Sequence, residues 1–453
     1  MTSLIVLVHG LTLDLTSQDS IKDVTSTIAY DMMTTYIGNE SGQTPGLLPG
    51  PCASDLCYYW WEAGAMFGAL INYWQYTGDT SYNAVVSQGL LFQIGPDQNY
   101  NPPNQSSDMG VDDQLFWAFS ALDAAEANFP NPPEGQPSWL ALAQAVFNFQ
   151  AALWDTTTCG GGLRWQVYSY LAGYNLKNAI ANAGNFQLAA RLARYTGNQT
   201  YADWADMLWN WMAESPLIQV DGNSIYIWDS TDSNNNCTNA DHDAWTYNWG
   251  ALLMGTASMY NYTNGNSTWL ERTEMILNGA YAVFFPSDYG SNIMSEIECE
   301  PTSICDSDQS SFKAYLSRWM AVTSVIVPSL APLITPKLQA SAMGAAGQCI
   351  GGDNGRLCGR RWYSTTWDGS QGVGQQMCAL SVIGANLIPQ TAAPLTAGSG
   401  GTSQGNPSAG SGVATGPSGV VTEKITTADK AGAGILTVLV IFGVVGGSWW
   451  LCV

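Results

Sequence analysis

One turn recurs along this chain and limits what it can fold into. It reads Tyr76-Thr77-Gly78-Asp79-Thr80-Ser81-Tyr82, returns as Tyr195-Thr196-Gly197-Asn198-Gln199-Thr200-Tyr201, and returns more loosely between Tyr262 and Trp269. In each copy a glycine can stop a helix in the left-handed conformation, a polar residue can cap the next helix, and an aromatic can dock it. Helical periodicity runs on either side of these turns over residues 20–390, with candidate helices starting near residues 21, 61, 81, 112, 138, 175, 200, 244, 268, 312, 331 and 371. Helical hairpins in series form either an open solenoid or a closed ring. A solenoid needs a regular period, and these spacings are irregular. The expected fold is therefore all-α: six hairpins closed into an (α/α)6 barrel, or toroid, whose inner-helix loops line one cleft. Short β-hairpins are expected at the cleft mouth, from Ser224 to Trp228 and from Leu163 to Tyr168.

The segment Ser107-Asp108-Met109-Gly110-Val111-Asp112-Asp113-Gln114 runs straight into an apolar-periodic stretch. That places Asp112 and Asp113 in the first turn of a helix, where the helix dipole and free amides favour negative charge. Mid-helix neighbours diverge by about 100°, whereas at a loop-to-helix junction two adjacent carboxyls can converge on one bond. Glycosidases use such a pair, roughly 5 Å apart when the anomeric configuration is retained and wider when it is inverted. A bare Asp-Asp is more often a cap than a catalyst, so its surroundings decide. The chain has 19 Trp and 21 Tyr against 14 Lys plus Arg. Most of these rings belong to the core. Those beside acids or amides in predicted loops, Trp60, Trp228 and Tyr247, are candidates for stacking on sugar rings. Asp108, Asp229 and Asp241 are candidate cleft acids, Asp108 as a like charge beside the pair.

A formal charge of −22 argues against nucleic acid as a partner. With two His, no phosphate-binding glycine loop and no serine elbow, no cofactor or metal site is expected. Ten Cys fit an oxidising compartment. Local spacing suggests Cys52–Cys57, Cys299–Cys305 and Cys349–Cys358, leaving Cys159 and Cys237 for a long-range pair and Cys378 as a buried thiol. Sequons at Asn39, Asn104, Asn198, Asn236, Asn261 and Asn266 agree with a secretory route. Residues 1–12 read as a short leader, 13–390 as the catalytic domain, and 391–432 as a flexible Gly/Ser/Thr-rich tether with a glycosylphosphatidylinositol (GPI) attachment region. Residues 433–453, without a charge, read as the tail of a GPI signal in preference to a transmembrane helix, the rival for a stretch of that length.

Gly-Val-Asp-Asp-Gln (110–114), Tyr-Trp-Trp-Glu-Ala-Gly-Ala (59–65), Thr-Tyr-Asn-Trp-Gly (246–250) and Trp-Asp-Gly-Ser-Gln-Gly-Val-Gly (367–374) resemble, in family order, the fungal members of glycoside hydrolase family 76. So do the segments 185–198 and 312–320. The resemblance implies an (α/α)6 barrel cleaving α-1,6-mannosidic bonds with retention, Asp112 as nucleophile and Asp113 as acid/base. It implies an α-1,6-mannan or GPI-core glycan as donor, cell-wall β-glucan as acceptor, and residence at the outer plasma membrane and wall through a GPI anchor. Trp249 departs from bacterial relatives, which usually carry Gln there. A catalytically silent wall-glycan-binding protein is the alternative, although a lectin has no need of adjacent acids.

Overall fold

In the computed structural model, which describes residues 11–51, 56–290 and 292–410, the recurrent turn works as its residues dictate. Gly78 and Gly197 end helices in the left-handed region, at φ +80° and +72°. The threonine before each returns its hydroxyl to a carbonyl four residues back, from Thr77 to Tyr73 and from Thr196 to Leu192. The Asp or Asn after each accepts an amide two residues on, and Asn266 repeats this in the looser third copy.

Twelve α-helices are formed among the described residues: α1 (Gln18–Met33), α2 (Trp60–Thr77), α3 (Asn83–Phe92), α4 (Val111–Glu126), α5 (Trp139–Ala151), α6 (Ala179–Thr196), α7 (Gln199–Glu214), α8 (Thr246–Tyr262), α9 (Ser267–Phe284), α10 (Phe312–Ile326), α11 (Ala331–Gln348) and α12 (Val373–Gly384). The even-numbered helices each pack on the next, and α12 packs back on α2, which closes an inner ring. The odd-numbered helices lie outside, against their sequence neighbours. This is the expected toroid, with starts within a few residues of those read from periodicity.

The inner helices are buried nearly all round, so their apolar stripe is broad; α6 is buried at 17 of its 18 positions. Small residues let them approach closely. A Cβ on Gly64 of α2 would lie 2.7 Å from the ring of Trp117 on α4. Trp117 itself is fully buried and stacks on Trp60 and Tyr100. Trp249 is also fully buried, edge-on to Phe284. Its departure from the family pattern therefore falls in the core.

A buried ionic network ties the inner ring together toward the C-terminal end of α4. Asp123 receives Arg191 of α6 on one oxygen and Arg318 of α10 on the other, both at 2.5 Å. Glu126 takes a second contact from Arg191 at 2.7 Å, and Arg318 also donates to Asn72 of α2.

The β-structure is sparse. Strands β1 (Leu176–Asn178), β4 (Ser230–Asp232) and β5 (Ala240–Asp241) form one antiparallel sheet in the order β1-β4-β5, while β2 (Ile218–Asp221) pairs with β3 (Ser224–Ile227) and β6 (Cys349–Gly351) with β7 (Leu357–Cys358). The hairpin expected around Ser224 is thus present. Leu163 to Tyr168 is not a strand: its contact is a single bridge from Gln166 to Gly110. Trp165 and Val167 exchange backbone bonds with Leu176, Val111 and Met109, an irregular path that passes beside the start of α4.

Disulfides join Cys159–Cys237, Cys299–Cys305 and Cys349–Cys358, and Cys378 is a buried free thiol. Cys52 lies outside the described residues, as do most of the leader and the GPI-signal tail. Composition starts a flexible tether at 391, yet residues 391–410 are docked on the outer face. Leu395 donates to the Glu126 carbonyl, Ser403 accepts the Leu140 amide, and Asn148 donates to the Pro407 and Ala409 carbonyls. Backbone groups need no apolar side chains to find partners, so composition does not reveal this strap.

Replacing Asp123 by Ala removes the shared counter-ion of two buried guanidinium groups. Breaking a buried ion pair from one side costs about 3–5 kcal/mol. D123A is expected to lose that much unfolding free energy in a urea titration; a loss below about 1 kcal/mol, typical of a surface pair, would contradict this account of the ring.

Candidate active site

The inner helices start at the same end of the ring, and their first turns converge. Gly110, the N-cap of α4, has extended backbone, φ −82° and ψ 158°. Any residue can adopt that conformation, but space forbids a side chain: a Cβ on Gly110 would stand 2.2 Å from Asp112 Oδ1 and 3.3 Å from Asp113 Oδ2. By the same two distances these oxygens lie no more than roughly 5.5 Å apart, near enough for both carboxyls to reach one bond. The glycine thus leaves room for the carboxyls to fold back over the helix start.

Their hydrogen bonds differ. Asp112 accepts the Asp113 amide on Oδ1 and the Asn178 side-chain amide on Oδ2, each at 3.1 Å. Asn178 is the N-cap of α6, so one residue both starts that helix and steadies Asp112. Asp113 accepts the Gly110 amide at 2.7 Å. Burial is the main force on both acids. It pushes Asp112 up to about 7 against the hydrogen bonds from Asn178 and Asp113, with Asp229 adding repulsion. Asp113 is raised well above the usual carboxylate range by burial and then by the charge of Asp112, the Gly110 amide opposing. As interacting sites they titrate as a pair.

Around them lies a cavity of about 170 Å3 whose acids are Asp112, Asp113, Asp229 and Asp308. Its aromatic walls are Trp61, Phe116, Trp165, Tyr247 and Phe312, and among the described residues no Lys or Arg lines it. Tyr247 stacks on Phe312 with centroids 3.9 Å apart. Asp229, raised to about 6 chiefly by burial, is approached by Asn248 at 3.5 Å. Glu296 fixes the start of α8 by accepting the Thr246 amide and hydroxyl. A larger hollow of about 600 Å3 lies between residues 131–141 and the strap at 402–410, but Glu134 is its one titratable residue. It offers no acid–base pair, so the smaller acidic cleft is the candidate site.

Of the residues singled out from sequence, Asp112, Asp113, Asp229 and Tyr247 meet in this cleft. Trp60 does not. Its indole N–H donates to Gln93 at 2.9 Å inside the core, and Trp61, one residue on and about 100° around the helix, faces the cleft instead. Asp108 is exposed and bonded to the Ser107 hydroxyl; only its charge reaches Asp113. Asp241 is exposed on β5 and serves through its backbone, its carbonyl accepting the Asp229 amide. Trp228 stacks between Tyr226 and His242 and is not among the residues lining the cleft. Asp308, Asn178, Trp61 and Trp165 were not anticipated. Asp306-Ser307-Asp308 precedes an apolar-periodic run as Asp112-Asp113 begins one, and that was the available signal. Five sequon asparagines are exposed and Asn198 is half-buried.

Residues 20–398 match the model of glycosyl hydrolase family 76. Mannan endo-1,6-alpha-mannosidase DCW1 of Saccharomyces cerevisiae is 43% identical over 98% of this chain and 95% of its own. Mannan endo-1,6-alpha-mannosidase DFG5 of the same yeast is 39% identical over 98% and 94%. The crystal structure of Dfg5 from Chaetomium thermophilum in complex with glucosamine superposes with a TM-score of 0.83 at 43% identity, covering 88% of this chain and 97% of that one. An α-1,6-mannanase from Salegentibacter sp. HEL1_6 shares the fold, with a TM-score of 0.64 at 16% identity over 81% and 99%.

A carboxyl whose pKa is raised on folding stabilises the protein while protonated, and that contribution is lost as pH rises through its folded value. Asp113 is such a group. Between about pH 5 and pH 9, the Tm of Asp113→Asn is expected to gain steadily on that of the wild type. A gap that closes with rising pH would contradict the assigned burial.

Proposed function

The chain belongs to glycosyl hydrolase family 76, and on that premise we propose that it is a retaining mannan endo-1,6-α-mannosidase that works as a transglycosidase. The observation that carries the reading is the convergence of Asp112 and Asp113 over Gly110 in a cleft walled by aromatics. Asp112 is the nucleophile: two N–H donors steady its charge. Attack on the anomeric carbon forms a mannosyl ester and breaks the bond to the leaving oxygen. Asp113, whose proton is held by burial and by the charge of Asp112, gives that proton to the leaving oxygen. It then takes one from the incoming hydroxyl, and the acceptor oxygen displaces Asp112. Trp61, Trp165 and Tyr247 supply apolar faces for the sugar rings, and Asp229 accepts hydroxyl hydrogens.

The donor is an α-1,6-linked mannose backbone or the glycan core of a GPI anchor. The names of the yeast relatives support the first. A cation-free acidic cleft, and glucosamine in the complex of the Chaetomium relative, support the second. The acceptor is cell-wall β-glucan. Either acceptor, water or sugar, uses the same acid pair, so the choice rests on which hydroxyl the cleft holds in place. Anchoring through the GPI signal at 433–453 would hold the domain at the outer membrane face beneath the wall.

Asp112→Asn and Asp113→Asn are each expected to reduce turnover of α-1,6-mannan by at least roughly 1,000-fold with Tm at neutral pH preserved, since each removes a chemical step. With β-glucan oligosaccharide present, wild-type product should carry mannosyl groups on the glucan, and free reducing ends should appear when acceptor is withheld. Near-native turnover by either variant would remove the catalytic assignment. Free reducing ends alone, at saturating acceptor, would leave a plain endo-mannanase.

A further inference from the structure

Glu62 sits in the first turn of α2, one residue from Trp61, and is fully buried. Among the described residues no N–H or O–H donor reaches either of its carboxyl oxygens. Its carboxyl is near enough to that of Asp308, a lining residue of the cleft, for the two to act on each other directly. Two buried carboxylates so placed repel each other, and a proton between them turns the repulsion into a hydrogen bond. Asp308 is the better anion of the two, because it accepts the Trp61 indole N–H at 3.2 Å and opens on the cleft. Glu62 has neither a donor nor solvent.

We propose that Glu62 carries a proton that it donates to Asp308, and so acts as a positioning residue that holds Asp308 toward the sugar as a second hydroxyl acceptor with Asp229, apart from the catalytic pair Asp112 and Asp113. Glu62 and the Trp61 indole together fix the Asp308 carboxyl from α2, while Asp308 itself belongs to the segment leading into α10. The contact joins the start of α2 to the segment entering α10, the two inner helices that flank α12 in the ring. Asp308 then has lone pairs left for a sugar hydroxyl, and a charge-assisted bond of that kind contributes more than a neutral one. The role of Asp308 toward sugar rests on the mannosidase reading; the protonation of Glu62 does not.

The titratable groups around Glu62 are Tyr58 ahead of α2, Asp306 and Asp308 ahead of α10 and Tyr315 on α10, with Asp112 beyond Asp308 and Cys378 of α12 beyond Tyr315. Burial first, then the charges of Asp308 and Asp306, raises Glu62 far above the usual carboxylate range. Arg318, further along α10, is held by Asp123 and Asn72.

The test uses the full chain with Glu62→Leu and Glu62→Gln. Leucine fills the space but cannot donate, whereas the glutamine amide replaces the carboxylic O–H as donor. Losing one hydrogen bond to a charged group corresponds to roughly ten-fold or more, expected in KM for α-1,6-mannan oligosaccharides with kcat much less affected. Glu62→Gln should restore KM. Equal impairment of both variants, or a loss confined to kcat, would overturn the positioning role. A second readout needs no substrate: from about pH 5 to pH 9, the Tm of Glu62→Gln should gain on the wild type, because the wild type loses stability as a buried acid is forced to ionise. If that gap shrinks as pH rises, Glu62 is ionised and the proposal is wrong. Should the wild type leave α-1,6-mannan untouched, the mannosidase reading fails while the pH series still decides the state of Glu62.

Discussion

Asp123 on α4 joins Arg191 of α6 to Arg318 of α10, and the rest of the structure is arranged about that shared charge. It lies eleven residues from Asp112 on the same helix, about 16 Å at the α-helical rise. One helix therefore carries a neutralised acid near its C-terminal end and two unneutralised acids at its start. The separation matters because buried carboxyls without cations repel and destabilise. The ring tolerates four of them around the cleft since its guanidinium groups are spent elsewhere: Arg191, Arg194 and Arg318 all act near Asp123 and Glu126. A cation in the cleft would pull Asp112 and Asp113 toward ordinary carboxylate behaviour. Its absence from the lining keeps a proton available beside an anion.

Helix starts do the positioning. Trp61, Asp112, Asp113, Asn178, Tyr247 and Phe312 all come from the caps or first turns of inner helices. Those turns offer free N–H groups and the positive end of the helix dipole, which soften the cost of clustered acids. Asn178 and Gly110 are each a helix cap and a support of the pair at once. The strap at 391–410 lies on the outer face and bonds to Glu126, Leu140 and Asn148 on α4 and α5. It braces the helix that carries the pair without entering the cleft.

Much of this was legible in the residues. The stop-and-restart turn and 3.6-residue periodicity are local signals, so the helices and their closure into hairpins followed from them. Asp112-Asp113 stood out because adjacent acids at a helix start are visible in one dimension. Trp60 and Trp61 show where that ends: both are aromatic in one motif, and only the phase of α2 against its neighbours decides which faces the cleft. Asp308 was hidden for another reason. Its importance comes from Glu62, which is 246 residues away in the chain and carries no local mark of being buried. Leu163 to Tyr168 has the residues of a strand but is held by irregular bonds to Met109, Val111 and Leu176, which no local pattern encodes.

The central claim is that Asp112 becomes covalently mannosylated. Incubating the protein with a slow-reacting fluorinated α-1,6-mannobiosyl fluoride, followed by intact-mass measurement and peptide mapping, tests it most directly. The account predicts a single glycosyl adduct in the peptide containing residues 110–114, with the ester on Asp112. Attachment to Asp113, Asp229 or Asp308, or turnover of the reagent with an inverted product and no adduct, would contradict it.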